Sequence, residues 1–450
     1  MDLSSPNPTR PPEAVLQDVY RRAARRHRIR RVTLLTGTAV AMVVVLVATA
    51  LDRGSPHPLR VIEVPPVSSA PVTQPFSTIP PRGGTRLTVP SPPGPTPTTL
   101  PPKVTGFLAQ SVSFVSANDG YVIGIEPCPT GICLAMRHTT NRGLTWTKLP
   151  PPPATLDRSG SGIPGLHFAD PLNWWALGSA VWATHDGGRD WHTVAIGGQV
   201  VAMASGAGVV FALVETCESS SSCPEVGHLY RSPVGQDAWA PVAGVSGQSD
   251  GGGFSLVVAG RSVFVLDGDQ ILASSDGMHF ASLSVPCAPP TAIQGAPFFA
   301  NSVAASDPSD VAVACVGEPS MNTQFKQAFV SRDGGRTYQR LPDPPWGGLG
   351  AEVVMPSPTT ILLTSMSFGG SLVYRDASVN GTWATPVSFH NEDAGLSNLA
   401  FVDPAHGAVV AGPAGYALFF LSYPNPPPDL GTIYLTDDGG TEWHLVRVQA

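Results

Sequence analysis

An octapeptide recurs along most of this 450-residue chain. Its clear copies are TTNRGLTW (139 to 146), THDGGRDW (184 to 191), SRDGGRTY (331 to 338) and TDDGGTEW (436 to 443). All four share Ser or Thr first, Asp or Asn third, Gly fifth and an aromatic eighth. SSDGMHF (274 to 280) is one residue shorter, and two decayed copies end at Trp239 and Trp383. The closing aromatics are Trp146, Trp191, Trp239, Phe280, Tyr338, Trp383 and Trp443, spaced by 45, 48, 41, 58, 45 and 60 residues. Seven units of about fifty residues thus fill the body, the size of a four-stranded propeller blade. A chain of this length would otherwise suggest about three domains; repetition at one period makes them blades of one.

The pattern has a physical reading as a hairpin between the third and fourth strands of each unit. Asp or Asn at position 3 (Asn141, Asp186, Asp276, Asp333, Asp438) accepts hydrogen bonds from the turn's own N–H groups. Gly at position 5 (Gly143, Gly188, Gly335, Gly440) takes a positive φ, and the aromatic packs beneath the turn. Upstream, SVSFVSANDGYVIG, GLHFADPLNWWALG, SVAASDPSDVAVACVG and NLAFVDPAHGAVVAG each read as strand, Asp-rich turn and strand. The expectation is an all-β, seven-bladed β-propeller with four-stranded blades over 104–450. Six or eight blades stay open on sequence alone, because the copies near Trp239 and Trp383 are degenerate.

These motifs resemble the Asp-box, or bacterial neuraminidase repeat, over essentially all of residues 104 to 450. The resemblance implies that Asp186, Asp333 and Asp438 are structural, although each looks catalytic in isolation. It raises sialidases, which grip a carboxylate with an arginine cluster. The body has eleven Arg, of which Arg142, Arg189, Arg332 and Arg336 lie within the octapeptides, and no Arg-Ile-Pro element precedes the first copy. A paired-carboxylate glycosidase needs two acids about 5 to 10 Å apart; Glu318, Glu352, Glu392 and Asp393 are the acids to test. The order of turn, strand, Gly and octapeptide is more similar to non-catalytic propellers, the photosystem II stability and assembly factor family and the sortilin-type receptors. That likeness implies a scaffold holding a protein or glycan, with no cofactor. An exported sialidase-like glycoside hydrolase and a transmembrane sensor are the alternatives.

Ahead of the body the composition changes twice. Residues 1–31 carry eight Arg against three acids, and Val15, Leu16, Val19, Tyr20 and Ala23 mark an amphipathic face suited to anionic lipid. Residues 32–51 hold no charge, enough to cross a core of about 30 Å. The arginines before this span place the N-terminus in the cytoplasm and the propeller outside. Ala48-Thr49-Ala50 offers a cleavage site, but twenty apolar residues exceed a usual signal, so an uncleaved anchor is expected. Residues 52–103 form a Pro/Ser/Thr-rich extended linker, with 15 Pro between 54 and 103. The body has 13 basic and 28 acidic residues, which excludes a phosphate-binding surface and with it nucleic acid. Arg outnumbers Lys 23 to 3, the bias of a GC-rich, Gram-positive bacterial genome.

Strand direction sorts the loops. The octapeptides share one face with the turns joining strands one and two. Long segments such as CAPPTAIQGAPFFANS, LPDPPWGGLGA, EPCPTGIC, EPSMNTQFKQ and SYPNPPPDLG fall on the other. All six cysteines belong there too, predicting disulfides Cys128–Cys133, Cys217–Cys223 and Cys287–Cys315 in an oxidising compartment. No neighbouring His or Cys completes a zinc site around them, so no metal is expected. Trp346, Phe298, Phe299, Phe325, Tyr423, His390, Glu318 and Glu392 are the candidate binding residues of that face.

Overall fold

The computed structural model describes residues 106–448 apart from 130, 155–164, 179, 218–224, 249–253, 268–269, 289–297, 321–322, 345–346, 368–369, 385–386, 390–394 and 413–429. The expected tail, membrane span and linker lie outside the described residues, as do Trp346, His390, Glu392, Asp393, Tyr423 and the Cys217–Cys223 bridge. No helix among the described residues is long and apolar enough to cross a membrane.

The described chain is a seven-bladed, all-β propeller of four-stranded antiparallel blades, each a meander. Blade 1 comprises β1 (Leu108–Phe114), β2 (Gly120–Cys128), β3 (Gly131–Thr139) and β4 (Thr147–Leu149). Blade 2 has the shortest inner strands: β5 (Gly165–Phe168), β6 (Trp174–Leu177) and β7 (Val181–Thr184), followed by β8 (His192–Val194). Blade 3 follows with β9 (Gln199–Gly206), β10 (Val209–Cys217), β11 (Glu225–Pro233) and β12 (Ala240–Gln248). Blade 4 is β13 (Phe254–Ala259), β14 (Ser262–Asp267), β15 (Gln270–Ser274) and β16 (Ala281–Leu283). Blade 5 is β17 (Phe298–Ala305), β18 (Val311–Ser320), β19 (Thr323–Ser331) and β20 (Gln339–Arg340). Blade 6 is β21 (Leu349–Ser357), β22 (Thr360–Ser367), β23 (Gly370–Asp376) and β24 (Val387–Phe389). Blade 7 is β25 (Leu396–Phe401), β26 (Gly407–Ala411), β27 (Ile433–Thr436) and β28 (His444–Val446). The inner strands are buried on both faces between blades, as along β6 and β13, so they lose the polar alternation of a half-exposed strand. The fourth strands are mostly two or three residues long and exposed, except the nine-residue β12. Every blade is continuous in sequence, so blades 7 and 1 close the ring by packing Val402, Val410 and Leu435 against Val112, Phe114 and Val122, with the Ala109 N–H donating to the Gly431 carbonyl at 2.8 Å.

The octapeptides form one repeated hydrogen-bond device. The hydroxyl at position 1 accepts from the N–H of the glycine at position 5, at 2.8–3.0 Å for Gly143, Gly188, Gly335 and Gly440. That hydroxyl donates in turn to the residue at position 3, as Ser331 does to Asp333 at 2.7 Å. The same carboxylate accepts from later N–H groups, Arg189 and Asp190 onto Asp186 and Thr441 and Glu442 onto Asp438. Hydrogen bonds from the hydroxyl and N–H of Thr337 hold Asp333 down to about 2. The glycine is required by its conformation: Gly440 has φ 88°, and a Cβ there would stand 2.4 Å from Leu362 of the preceding blade. The first-to-second-strand turns lie against these hairpins through backbone bonds, Gly187 to Leu172, Gly334 to Ser309 and Gly439 to Ala405, so both sets share a face.

All seven closing aromatics pack across blade interfaces rather than only beneath their own turns. Trp191 joins the cluster between blades 1 and 2, Trp239 that between 2 and 3, and Phe280 that between 3 and 4. Tyr338, Trp383, Trp443 and Trp146 do the same in the interfaces that follow, the last against blade 7. Burying such a ring contributes about 2–3 kcal/mol, which explains why the aromatic persists in the two copies that lost their consensus. In blade 6 the carboxylate of Asp376, fully buried, takes the place of the hydroxyl and accepts from the N–H groups of Ser378 and Gly381. Asp376→Ala is expected to lower the unfolding free energy by about 2–4 kcal/mol, because two part-buried N–H groups lose a charged acceptor. Urea unfolding of the two proteins measures this; a loss under 1 kcal/mol contradicts it.

Candidate functional site

On the face opposite the octapeptides, two of the expected bridges are formed. Cys128 and Cys133 bond across the hairpin between β2 and β3, with Cα atoms 5.8 Å apart. Cys287, four residues beyond β16, bonds Cys315 of β18 and so ties an inter-blade link to the next blade. No free cysteine occurs among the described residues. Two segments expected as long loops are instead extended hairpins. In EPCPTGIC the ladder runs on to Cys128 opposite Gly131, and in EPSMNTQFKQ to Ser320 opposite Thr323. Backbone pairing continues to the tip because it satisfies N–H and C=O groups that a loop would leave to solvent.

Blade 5 presents its strand ends on this face. Phe298 pairs in register with Gly317 and Phe299 with Val316. The Phe298 ring covers Gly317, where an added Cβ would meet it at 2.7 Å, and it packs in the blade 4–5 core beside Cys287. Phe299 and Phe325 are half-buried, and Glu318 is exposed. The residue that sequence reasoning missed is Lys326, one of three lysines in the chain. It is buried, and its Nζ donates to the carbonyls of Gly347 (2.7 Å), Gly348 (2.8 Å) and Gln324 (3.2 Å). Burial pushes its pKa down to about 8. Gln324 donates to the Gly317 carbonyl and accepts from the Gly350 N–H, while Ser365 also donates to the Gly347 carbonyl. The backbone at Gly347 and Gly348 is therefore clamped.

The innermost strands carry a second set of polar side chains. Gln110 on β1, His167 on β5, Glu352 on β21 and Asn398 on β25 are all buried. The Gln110 amide, both His167 nitrogens, Glu352 Oε1 and Asn398 Oδ1 have no hydrogen-bond partner among the described residues. The ladders slip at Gln110 and Asn398, and Asn398 has φ 57°; such bulges re-aim a side chain. Burial pushes the Glu352 carboxyl up to about 8 and the His167 imidazole down to about 3. Glu352 is the single carboxylate on an innermost strand among the described residues. On the octapeptide face His185, His192 and Asp237 converge, a grouping the sequence hides because one decayed-repeat position and two blades are involved.

No protein-family model matches the chain, and no curated protein is similar to it. Among solved structures it is similar to YCF48 bound to D1 peptide, at 12% identity over 70% of this chain and 92% of that one, with a TM-score of 0.43. It is also similar to the GH74 enzyme of Niastella koreensis, at 14% identity over 74% and 69% of the two chains and a TM-score of 0.32. A Hadza microbial sialidase aligns at 11% identity over 78% and 88%, with a TM-score of 0.34. A peptide complex and two enzymes stand side by side here, so these likenesses do not choose between binding and catalysis.

Proposed function

We propose that the chain is a membrane-anchored, non-catalytic Asp-box propeller whose disulfide-bearing face holds a protein or glycan outside the cytoplasmic membrane. The observation that carries this reading is the pinning of that face: Cys128–Cys133, Cys287–Cys315 and the Lys326 clamp on Gly347 and Gly348 all hold it. Pre-ordered loops lose less entropy when a partner binds, so fixing them raises affinity without adding contacts. Disulfides also fit the oxidising compartment implied by the basic tail and apolar span. A paired-carboxylate hydrolase is disfavoured because, among the described residues, Glu352 is the one carboxylate on an innermost strand and is buried.

Capture of a cell-surface partner by the immobilised full-length chain tests the proposal. Trp346→Ala combined with Phe325→Ala is expected to weaken capture at least about tenfold, as loss of aromatic anchors does. His192→Ala, on the opposite face, leaves it unchanged. Turnover of an aryl glycoside that is abolished by Glu352→Gln overturns the scaffold reading.

A further inference from the structure

Three side chains from two blades meet on the octapeptide face in an arrangement that hydrogen bonding alone leaves unbalanced. His185 is the second residue of the blade 2 octapeptide, and His192 opens β8. Asp237 belongs to the decayed copy SPVGQDAW of blade 3, where it has moved from third to sixth position. The Nε2 atoms of His185 and His192 lie 2.8 and 2.7 Å from one oxygen, Oδ2 of Asp237. The two rings are 5.3 Å apart, and the three ligating atoms all fall within 4.8 Å of one another. Asp237 is held at φ 47°, a conformation uncommon for a residue other than glycine, which aims its carboxylate back across the blade interface.

The tautomer of His185 follows from its neighbours. The Asn173 amide nitrogen donates to both oxygens of Asp170, at 3.0 and 2.8 Å, so its carbonyl oxygen is the atom that faces His185 Nδ1, at 2.8 Å. A carbonyl oxygen only accepts, and Nδ1 must therefore carry the proton. The neutral ring then turns a bare Nε2 lone pair toward a carboxylate oxygen at 2.8 Å, a contact that is repulsive unless a positive charge stands between them. The other oxygen, Oδ1, accepts from the Trp175 indole N–H at 3.2 Å, leaving Oδ2 for the two imidazoles. An imidazole oriented by an amide through Nδ1 and a carboxylate oriented by an indole are the supporting contacts that metal ligands require.

We propose that His185, His192 and Asp237 bind a divalent transition-metal ion of the zinc class. Two imidazole nitrogens and one carboxylate oxygen are donors that suit zinc, whereas calcium and magnesium take oxygen ligands. Three protein ligands leave a position of a tetrahedral ion open to water or to a donor from a bound molecule. The His192 side chain is 53% exposed and His185 26%, so an ion reaches the site from solvent. Bound there, it joins blade 2, whose inner strands are the shortest of the seven sheets, to blade 3. The site is on the opposite face from the disulfides and stands independently of the scaffold reading.

The test is equilibrium dialysis of the chelator-stripped full-length chain against Zn2+, with bound metal read by atomic spectrometry. The expected result is one ion per chain in excess of that retained by a His185→Ala/His192→Ala double variant, with an affinity at least about tenfold weaker in Asn173→Ala. His192→Ala, a change at an exposed side chain, keeps the metal-free unfolding temperature and abolishes its rise on adding Zn2+. Equal zinc in wild type and double variant, or no bound zinc in either, overturns the proposal and leaves a proton on His185 as the balancing charge.

Discussion

Replacing Cys287 and Cys315 together by alanine lowers the unfolding free energy by about 3.5 kcal/mol, against about 2 kcal/mol for the same change at Cys128 and Cys133. The difference comes from the unfolded chain. One bridge closes a loop of 28 residues and the other a loop of 5, and the longer loop removes more conformational freedom before folding begins. Packing works in the same direction, since Cys315 is fully buried in the blade 4–5 core with Val313 and Phe329, whereas the Cys128–Cys133 bridge joins the tip of a hairpin. Urea unfolding of the two double variants beside the oxidised wild type measures both losses. Equal losses, or a larger loss at Cys128 and Cys133, show that the bridges act by some route other than loop closure. A loss of the expected size also releases the inter-blade link after Cys287, so partner capture should weaken in that variant more than in the other.

Glu352→Gln gives the second large effect, and it appears only as pH rises. Burial lifts the carboxyl from an ordinary 4.5 to about 8 in the folded chain, so the folded state keeps a proton that the unfolded state releases. The contribution of Glu352 is therefore fully present below about pH 4.5 and is lost as pH climbs through about 8. The variant and wild type should unfold with similar free energies at pH 5, and the variant should be more stable by about 2–4 kcal/mol at pH 9. His167, pushed down to about 3 by burial, favours the opposite trend below neutrality, but it is common to both proteins and cancels in the difference. Asp267, also buried and raised to about 6, acts in the same direction as Glu352 over a lower range and cancels likewise. A pH-independent difference between the two proteins removes the assignment of a protonated Glu352 at neutral pH.

Particular residues show where the sequence was legible. The position 1 hydroxyl, position 3 Asp or Asn and position 5 glycine satisfy a turn among themselves, so they can be read within eight residues and matched across the four clear copies. The cysteines sorted to one face because strand direction alternates strictly in a meander. The role of the aromatic was read too locally: Trp443 packs on Phe401 of its own blade but also on Phe389 of the preceding one. Lys326 gave no signal, since nothing in TQFKQ states that its ammonium meets carbonyls some twenty residues onward. EPCPTGIC and EPSMNTQFKQ looked like loops because each is a long segment carrying Pro between the second and third strands, yet cross-strand pairing carries both ladders to their tips.

Strand order within a blade and the faces on which turns and cysteines fall were legible in the sequence alone, because each depends on contacts within about fifty residues; that the blades number seven, where six or eight stayed open, was decided by the structure. What the tertiary structure decided depends on how neighbouring blades pack. Blade packing brings Asp237 of blade 3 against His185 and His192 of blade 2, buries Glu352 on an innermost strand, and sets the Gly347 and Gly348 carbonyls on Lys326. These meetings occur once each, between residues that local turn chemistry leaves unrestricted, so no period in the sequence announces them.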